Sequence, residues 1–597
     1  MRIPSDVLDL ISALESAGYT AYLVGGCVRD MLLGVAPSDY DLTTSATPEE
    51  IMNVFSERDV TVLPTGLKHG TVGIRYHHAT YEITTFRKDG IYLDGRHPEN
   101  VSFSKTLEED LLRRDFTINA MAYHPKTGLV DLCCGQEDLK KSLVRAVGDP
   151  QLRFREDALR MLRAVRFASR LNFAIEENTL LAIQNSEEKI HAVSSERIAE
   201  EFRKILECPH PSYGVQLLKE SLLWARLFPS VSFPESKAPA LDSLPADFCL
   251  RFGFLFSDSS EEAVSEAIRF LRLSNKEKSR IQLLWEGFTS PLPGRNDPIG
   301  QRLFLQKYGS DSLPLLACLG KESPDALSLY PLLEKEQDRG LCLTVSDLAV
   351  SGKDLLDAGI AKGPLVGDLL EYLLSMVIAY PDDNRRDRLL SLAQKYVHPT
   401  IRNIVFDIGK VLAKFHWKSV LSSLGFSPEA NAAVAAATVR NPFWLEYDRS
   451  VLSDEEVLQT CCSFAPEYTK EITAFFGHLF HMCTPYPYAS EWLSSLRKRG
   501  YRVYLLSNYG KTRFEQDLTD FPFVAETDGR VISYEVGYIK PEPGIYYALL
   551  DKYHLLPEES LFFDDVEANV LGARRCGFHA EVFTTPEEAE KVLSSLS

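Results

Sequence analysis

The chain of 597 residues carries 65 Lys and Arg against 84 Asp and Glu, a formal net charge of −19; this excludes a protein that holds polyanions over its whole surface and leaves only local basic patches for that purpose. The length excludes a single hydrophobic core and points to roughly three to five domains, while 45% hydrophobic and 25% charged residues exclude a disordered chain. No apolar run reaches membrane-spanning length and no cleavable leader pattern starts at Met1; the eleven cysteines include the pairs Cys133-Cys134 and Cys461-Cys462 but no Cys-x-x-Cys, which reads as reduced thiols of a cytoplasmic protein.

Val7, Leu8, Leu10, Ile11 and Leu14 open the chain with one apolar helical stripe. A β-branched and aromatic run, Tyr22 to Val24, then stops at Gly25-Gly26 and leads through Cys27-Val28-Arg29-Asp30 to Ser38-Asp39-Tyr40-Asp41. A second strand carrying Asp39 and Asp41 turns both carboxylates to one side. Paired carboxylates suit hard divalent cations with positions left open for phosphate oxygens. Two such cations about 4 Å apart hold the attacking and leaving oxygens of an in-line displacement. The glycines let backbone N–H groups approach a triphosphate, and Arg29 adds a charged fork. On spacing alone Asp-x-Asp reads more readily as a solvated strand edge or turn.

With Gly-Gly-x-Val-Arg-Asp ahead of it, however, the stretch resembles the nucleotidyltransferase head of class II tRNA CCA-adding enzymes and bacterial poly(A) polymerases. The resemblance implies that Asp39 and Asp41 are catalytic and bind metal, and that Gly26 and Arg29 bind nucleotide. Residues 60–63, 70–76 and 80–86 read as strands. His69, His77 and His78 fit no metal-ligand spacing. Glu82 is either a third carboxylate of the site or a solvent-facing strand residue. Residues 87–98 read as a loop, placed where CCA-adding enzymes carry the flexible loop needed for the terminal A. In Leu111 to Ala122, two arginines, an Asp and an Asn sit beside a small-residue helix; by resemblance this is a second motif, with Arg114 the nucleotide contact.

Residues 155–167 form helix without Gly or Pro. Asp157, Arg160, Arg163 and Arg166 recur every three residues along one face. Cytosine and adenine both offer an amino donor beside a ring-nitrogen acceptor, which a carboxylate and a guanidinium complement; uracil and guanine present the reverse pattern. Asp157 and Arg160 therefore select C and A without a template, and Arg163 and Arg166 lie toward the triphosphate. Glu156-Asp157-x-x-Arg160 is also the family's base-reading motif. A run of arginines in an acidic chain argues against a merely solvated face. From Glu176 to Tyr396 the pattern is almost wholly helical; residues 347–364 resemble the RNA-holding tail, their lysines and glycines reading either as phosphate contacts or as a capped helix turn.

After His398-Pro399 the pattern restarts. Ile404 to Leu412, Val503 to Asn508 and Leu561 to Asp565 are buried parallel strands with polar groups at their C-terminal ends, where open α/β sheets bind ligands. With Lys540-Pro541 they resemble the haloacid dehalogenase superfamily of phosphohydrolases. That resemblance implies Asp407 as the nucleophile, Ser507 and Lys540 as phosphate-binding groups, and Asp407 and Asp564 as metal ligands with the Gly409 carbonyl, supported by Asp565. The usual second Asp, which protonates the leaving group, is Gly409 here.

The sequence thus predicts an α+β nucleotidyltransferase head (1–145), an all-α neck with the base-reading helix (146–210), an all-α body and tail binding tRNA (211–395), and a C-terminal α/β Rossmann-like haloacid dehalogenase domain (401–597) with a helical cap at about 415–488. The expected activity is template-independent addition of CCA to tRNA from CTP and ATP, with Mg²⁺ in both catalytic domains and an unassigned phosphomonoester as the second substrate. The alternatives are a poly(A) polymerase, and a tRNA-binding protein with a non-catalytic C-terminal module.

Overall fold

The computed structural model describes residues 3–56, 58–64, 66–67, 70–88, 102–321, 323–441, 443–450, 452–478 and 482–596. Two compact units emerge: residues 1–291 with 313–327, and residues 292–312 with 328–597. The expected loop at 87–98 lies, from residue 89 on, outside the described residues, as does His69; Arg87–Lys88 pair with Ser102–Phe103.

The first unit opens with the Ser5–Ser16 helix, which buries Val7, Leu10, Ile11 and Leu14; Leu8, expected in the same stripe, faces outward. A seven-stranded sheet follows in the order Thr61–Leu63, Thr71–Tyr76, Ala79–Thr85, Asp41–Thr44, Ala21–Val24, Met121–His124 and Gly128–Asp131. Ala21–Val24 pairs antiparallel with Asp41–Thr44, which runs parallel to Ala79–Thr85. The second strand starts at Asp41, so Asp39 precedes it rather than lying on it. The ladder ends at Leu23↔Leu42 because the opposing chain leaves the sheet at Gly25, whose φ is +78°. The small-residue helix expected near Asn119 is instead a single 3₁₀ turn, Thr117–Asn119, running straight into the Met121–His124 strand.

The helix expected over 155–167 is two helices, Pro150–Glu156 and Leu159–Leu171, broken at Asp157 (φ −147°, ψ 107°). The Asp157 side chain accepts a hydrogen bond from the Leu159 N–H at 3.0 Å. An Asp that bonds a nearby backbone donor stabilises a helix start and competes with helix continuation. Further helices of this unit close around an aromatic core in which Phe252 and Phe256 stack at 4.2 Å, with Phe202 edge-on to Phe252 and Phe228 edge-on to Phe256.

In the second unit, Ser351 and Asp354 form a capping box on the Gly352–Asp357 helix, within the segment read as either phosphate contacts or a capped turn. The chain then builds a five-stranded, all-parallel sheet in the order Gly529–Ile532, Arg502–Ser507, Asn403–Phe406, Ser560–Asp564 and His579–Val582. Its strands are buried on both faces: Ile404 and Phe406 join one apolar cluster, Val405 the other. An insertion leaves and returns through the paired strands Ala413–Phe415 and Cys483–Pro485. Its helices, between Trp417 and Phe476, carry a core of their own around Val434, Val457, Ile472 and Phe475. All eleven cysteines are free. Among the described residues no helix is long and apolar enough to cross a membrane.

Candidate functional sites

The first site is built where Ala21–Val24 ends. Gly25 precedes the Gly26–Leu32 helix with a positive φ, and a Cβ there would stand 3.1 Å from Arg114 Nη1. At Gly26 a Cβ would meet only Arg29 Nη2, at 3.7 Å; of the pair, it is Gly25, at φ +78°, whose backbone requires glycine. Arg29 does not project as a free fork. It is buried, its Nε donating to Asp30 Oδ1 and its Nη1 to Asn119 Oδ1, both at 2.8 Å. Its charge holds the glycine turn against the Thr117–Asn119 segment.

Asp41 sits opposite Glu82 in the parallel ladder. Burial, followed by the neighbouring Asp39 and Glu82 carboxylates, raises its carboxyl to about 6, while Arg114 opposes the shift. Three carboxylates and one guanidinium thus share an electrostatic neighbourhood. Glu82, which the sequence left ambiguous, belongs to it; its signal is the strand register, which no local pattern gives. Asp110, fully buried, was missed altogether. It accepts from Arg113 Nε and Nη2 (3.0 and 2.6 Å), Arg114 Nη2 (3.2 Å) and Thr43 Oγ1 (3.4 Å). Burial pushes its carboxyl up, but Arg114 and Arg113 outweigh that and hold it below the usual range.

The helix pair at Asp157 borders this site. Asp157 Oδ2 accepts from Arg197 Nη2 at 2.7 Å. Arg160 Nη1 bonds Glu156 Oε2 at 2.5 Å and the Arg153 carbonyl at 3.2 Å, and its Nη2 reaches the Arg113 carbonyl at 3.4 Å. Arg163 grips Asp115 through Nε and Nη2 (2.8 and 2.6 Å), and Arg166 pairs with Glu201 at 3.0 Å. The stripe is therefore not the unneutralised cationic face that its sign suggested: every arginine in it has a carboxylate partner, two of them from distant segments. Asp157 and Arg160 both stand at the start of the Leu159–Leu171 helix, and each holds a protein partner that a ligand would have to displace.

The second site lies at the C-terminal ends of the parallel strands. Lys540 Nζ bridges Asp407 Oδ1 (2.7 Å) and Asp564 Oδ2 (2.6 Å). Ser507 Oγ donates to Asp407 Oδ1 at 2.8 Å. Asn569 Nδ2 and the Val566 N–H orient Asp564 at 2.9–3.1 Å, and Lys410 Nζ holds Asp565 at 2.6 Å. Burial, then the Asp564 charge, raises the Asp407 carboxyl to about 6, although Lys540 pulls the other way more strongly than Asp564 pushes. Asp407, Asp564 and Asp565 each offer an oxygen within 4.8 Å of the others. Each side chain that the sequence placed in this second site lies in this one cluster. The positioning residue Asn569 was missed; it lies one helical turn past the Asp564-Asp565 pair and is visible only once that helix is placed.

The poly A polymerase head domain model matches residues 21–145, the model described as the probable RNA and SrmB- binding site of polymerase A matches 172–233, and the haloacid dehalogenase-like hydrolase model matches 401–577. The CCA-adding enzyme of Lactobacillus helveticus is 35% identical over 399 residues, 64% of this chain and 94% of the relative. That of Streptococcus mutans is 33% identical over 411 residues, 66% and 99%. Among solved structures, the Bacillus stearothermophilus CCA-adding enzyme in complex with CTP aligns at 30% identity and a TM-score of 0.57, over 66% of this chain and 98% of that one.

Proposed function

Because the chain belongs to the CCA-adding enzyme family, extended by a haloacid dehalogenase-like hydrolase domain, we propose that it adds CCA to tRNA 3′ ends without a template, from CTP and ATP, and that its C-terminal domain is a Mg²⁺-dependent phosphohydrolase. The observation that carries the first part is Asp41, whose carboxyl is raised to about 6 by burial and by Asp39 and Glu82, beside Arg114. Carboxylates crowded in this way hold more negative charge than the surroundings neutralise, and hard oxygen donors suit Mg²⁺. Asp39 and Asp41 would hold the metal in the head, with Glu82 a neighbour.

In this reading Arg114 meets the incoming phosphates from its seat on Asp110. Asp157 accepts the amino proton of cytosine or adenine, and Arg160 donates to the ring nitrogen. Uracil and guanine present the reverse donor–acceptor pattern and would not replace the Asp157–Arg197 and Arg160–Glu156 bonds that a base must displace, a cost of roughly several kcal/mol. Arg163 and Arg166 keep the helix in place through Asp115 and Glu201 and lend positive potential to the nucleotide. Residues 211–395 supply the tRNA-binding surface. The direct test is a tRNA lacking its CCA, offered each labelled triphosphate with Mg²⁺. CMP and then AMP incorporation is expected; UMP or GMP incorporation, or long A tails from ATP alone, overturns the reading.

For the hydrolase, the donor set again fits Mg²⁺: Asp407 and Asp564 would hold it with the Gly409 carbonyl, and Asp565 flanks them. When bound, the metal supplies positive charge to the phosphoryl oxygens. Asp407 attacks phosphorus, while Ser507 and Lys540 orient the phosphoryl group and offset its charge. A panel of phosphomonoesters should be hydrolysed by the wild type and not by Asp407→Asn; equal activity of the two, including none, refutes it.

A further inference from the structure

Hydrolysis of an unactivated phosphomonoester needs a proton for the leaving oxygen, and residue 409 carries no side chain to give one. Nor does the chain fill the gap locally. A Cβ at Gly409 would meet only Asp407 Oδ2, at 3.7 Å, so the space beside the nucleophile is open. The donor therefore has to come from elsewhere, and the insertion between residues 413 and 485 offers one.

Its Trp444–Arg449 helix is fastened to the two segments that carry the phosphate-binding groups. Arg449 makes a two-pronged pair with Glu542 (2.8 and 2.6 Å) and donates to the Gly537 carbonyl at 2.9 Å, just before and after Lys540. The Lys511 N–H donates to Ser450 Oγ at 3.0 Å. Ser533 Oγ donates to the Asp448 carbonyl at 2.5 Å and accepts from the Tyr509 N–H, two residues past Ser507, at 2.8 Å. These contacts hold Asp448 between the Ser507 loop and the Lys540 loop.

The Asp448 side chain is about nine-tenths buried, and its Oδ1 has no hydrogen-bond partner among the described residues. A buried carboxyl oxygen left unsatisfied is costly and calls for an explanation. The charged groups around it are Arg513, Asp407 and Lys540, with the Gly510 N–H also bonding it. It is thus close enough to the nucleophile and to Lys540 to feel both charges.

We propose that Asp448 is the general acid–base of the hydrolase, delivering from the insertion the proton that residue 409 cannot. The inference rests on the phosphohydrolase reading above. In the first step an Asp407 oxygen bonds to phosphorus, the bond from phosphorus to the alcohol oxygen breaks, and that oxygen takes the Asp448 proton. In the second, Asp448 carboxylate takes a proton from water as the water oxygen bonds to phosphorus and the Asp407–phosphorus ester breaks. Alcohol and phosphate leave, and Asp448 is again protonated. Burial, opposed by Arg513 and the Gly510 N–H, raises the Asp448 carboxyl to about 6, a range in which one group can both give and take a proton near neutrality.

The full-length protein with Mg²⁺ tests this with two probes. Glycerol phosphate has a poor leaving group; p-nitrophenyl phosphate has a good one. Asp448→Asn should lose about 100-fold or more on glycerol phosphate. On p-nitrophenyl phosphate it should release a rapid burst of about one equivalent of nitrophenolate, then turn over slowly with phosphate retained on Asp407, because only the second step still needs the base. Asp448→Glu should recover part of the glycerol phosphate activity. An unchanged rate on glycerol phosphate, or equal losses on both probes with no burst, overturns the assignment. If the wild type matches Asp407→Asn on both probes, the phosphohydrolase reading itself has failed.

Discussion

At the residue scale, the head depends on a few side chains whose partners fix what they can do. Asp110 is the clearest case: a fully buried carboxylate that accepts from Arg113, Arg114 and Thr43. Asp110→Asn would leave two guanidinium groups short of an ionic partner. We expect about a tenfold or larger fall in kcat/KM for CMP and AMP incorporation, carried mainly by KM for the triphosphate, since Arg114 then wanders from its seat. Steady-state kinetics with each triphosphate checks the split. Gly25→Ala places a Cβ 3.1 Å from Arg114 Nη1 in a backbone conformation with φ +78°. It should cost about 1 kcal/mol or more in stability and lower activity in parallel, measured by urea unfolding and incorporation assays. That Asp407, Ser507, Lys540 and Asp564 meet at one end of the parallel sheet was legible from the strand-end motifs that carry the haloacid dehalogenase resemblance, and the nearness of Asp39 to Asp41 from their spacing of two. Arg29 was misread because its partner, Asn119, lies 90 residues away, and nothing local tells a phosphate fork from a buried brace.

At the scale of elements, the break at Asp157 matters most. The composition of 155–167 favours one unbroken helix, and the cap that interrupts it is a single side-chain bond to the Leu159 N–H. A signal existed, since Asp is a preferred helix-capping residue, but it competed with a run of good helix formers. Asp157→Ala should therefore cost about 1 kcal/mol of stability by urea unfolding, beyond any loss of base selection. The arginine stripe was legible as a stripe, but not its neutralisation: Asp115 and Glu201 reach it from 48 and 38 residues away along the chain, counted from Arg163. Strand existence followed from alternation, whereas the register that sets Glu82 opposite Asp41 did not, because a parallel pairing leaves no local trace.

At the scale of the molecule, the Asp41 and Asp407 clusters belong to different compact units, so single substitutions should act on one proposed activity alone. Asp407→Asn should leave CMP and AMP incorporation at the wild-type rate, and Asp41→Asn should abolish incorporation while leaving phosphomonoester hydrolysis intact. Within the second unit, His579 stacks on Tyr396 at a centroid distance of 4.9 Å, and Tyr396 on Tyr372. Burial pushes the His579 imidazole down to about 4, partly offset by a hydrogen bond to the Glu558 backbone. The unfolded chain binds this proton below about 6.5 and the folded chain only below about 4, so the stability contribution is complete above pH 6.5 and is lost as pH falls toward 4. Denaturant unfolding at pH 7 and at pH 4.5 should show the wild type losing up to about 3 kcal/mol more than His579→Phe over that interval.

Template-independent addition turns on how the nucleobase is recognised, and a crystal of the protein soaked with CTP and Mg²⁺ tests that directly. The amino and ring-nitrogen edge of cytosine should lie within hydrogen-bond distance of Asp157 and Arg160, with Asp157 released from Arg197 and Arg160 from Glu156. A cytosine edge turned elsewhere, with both of those ion pairs still closed, would contradict it.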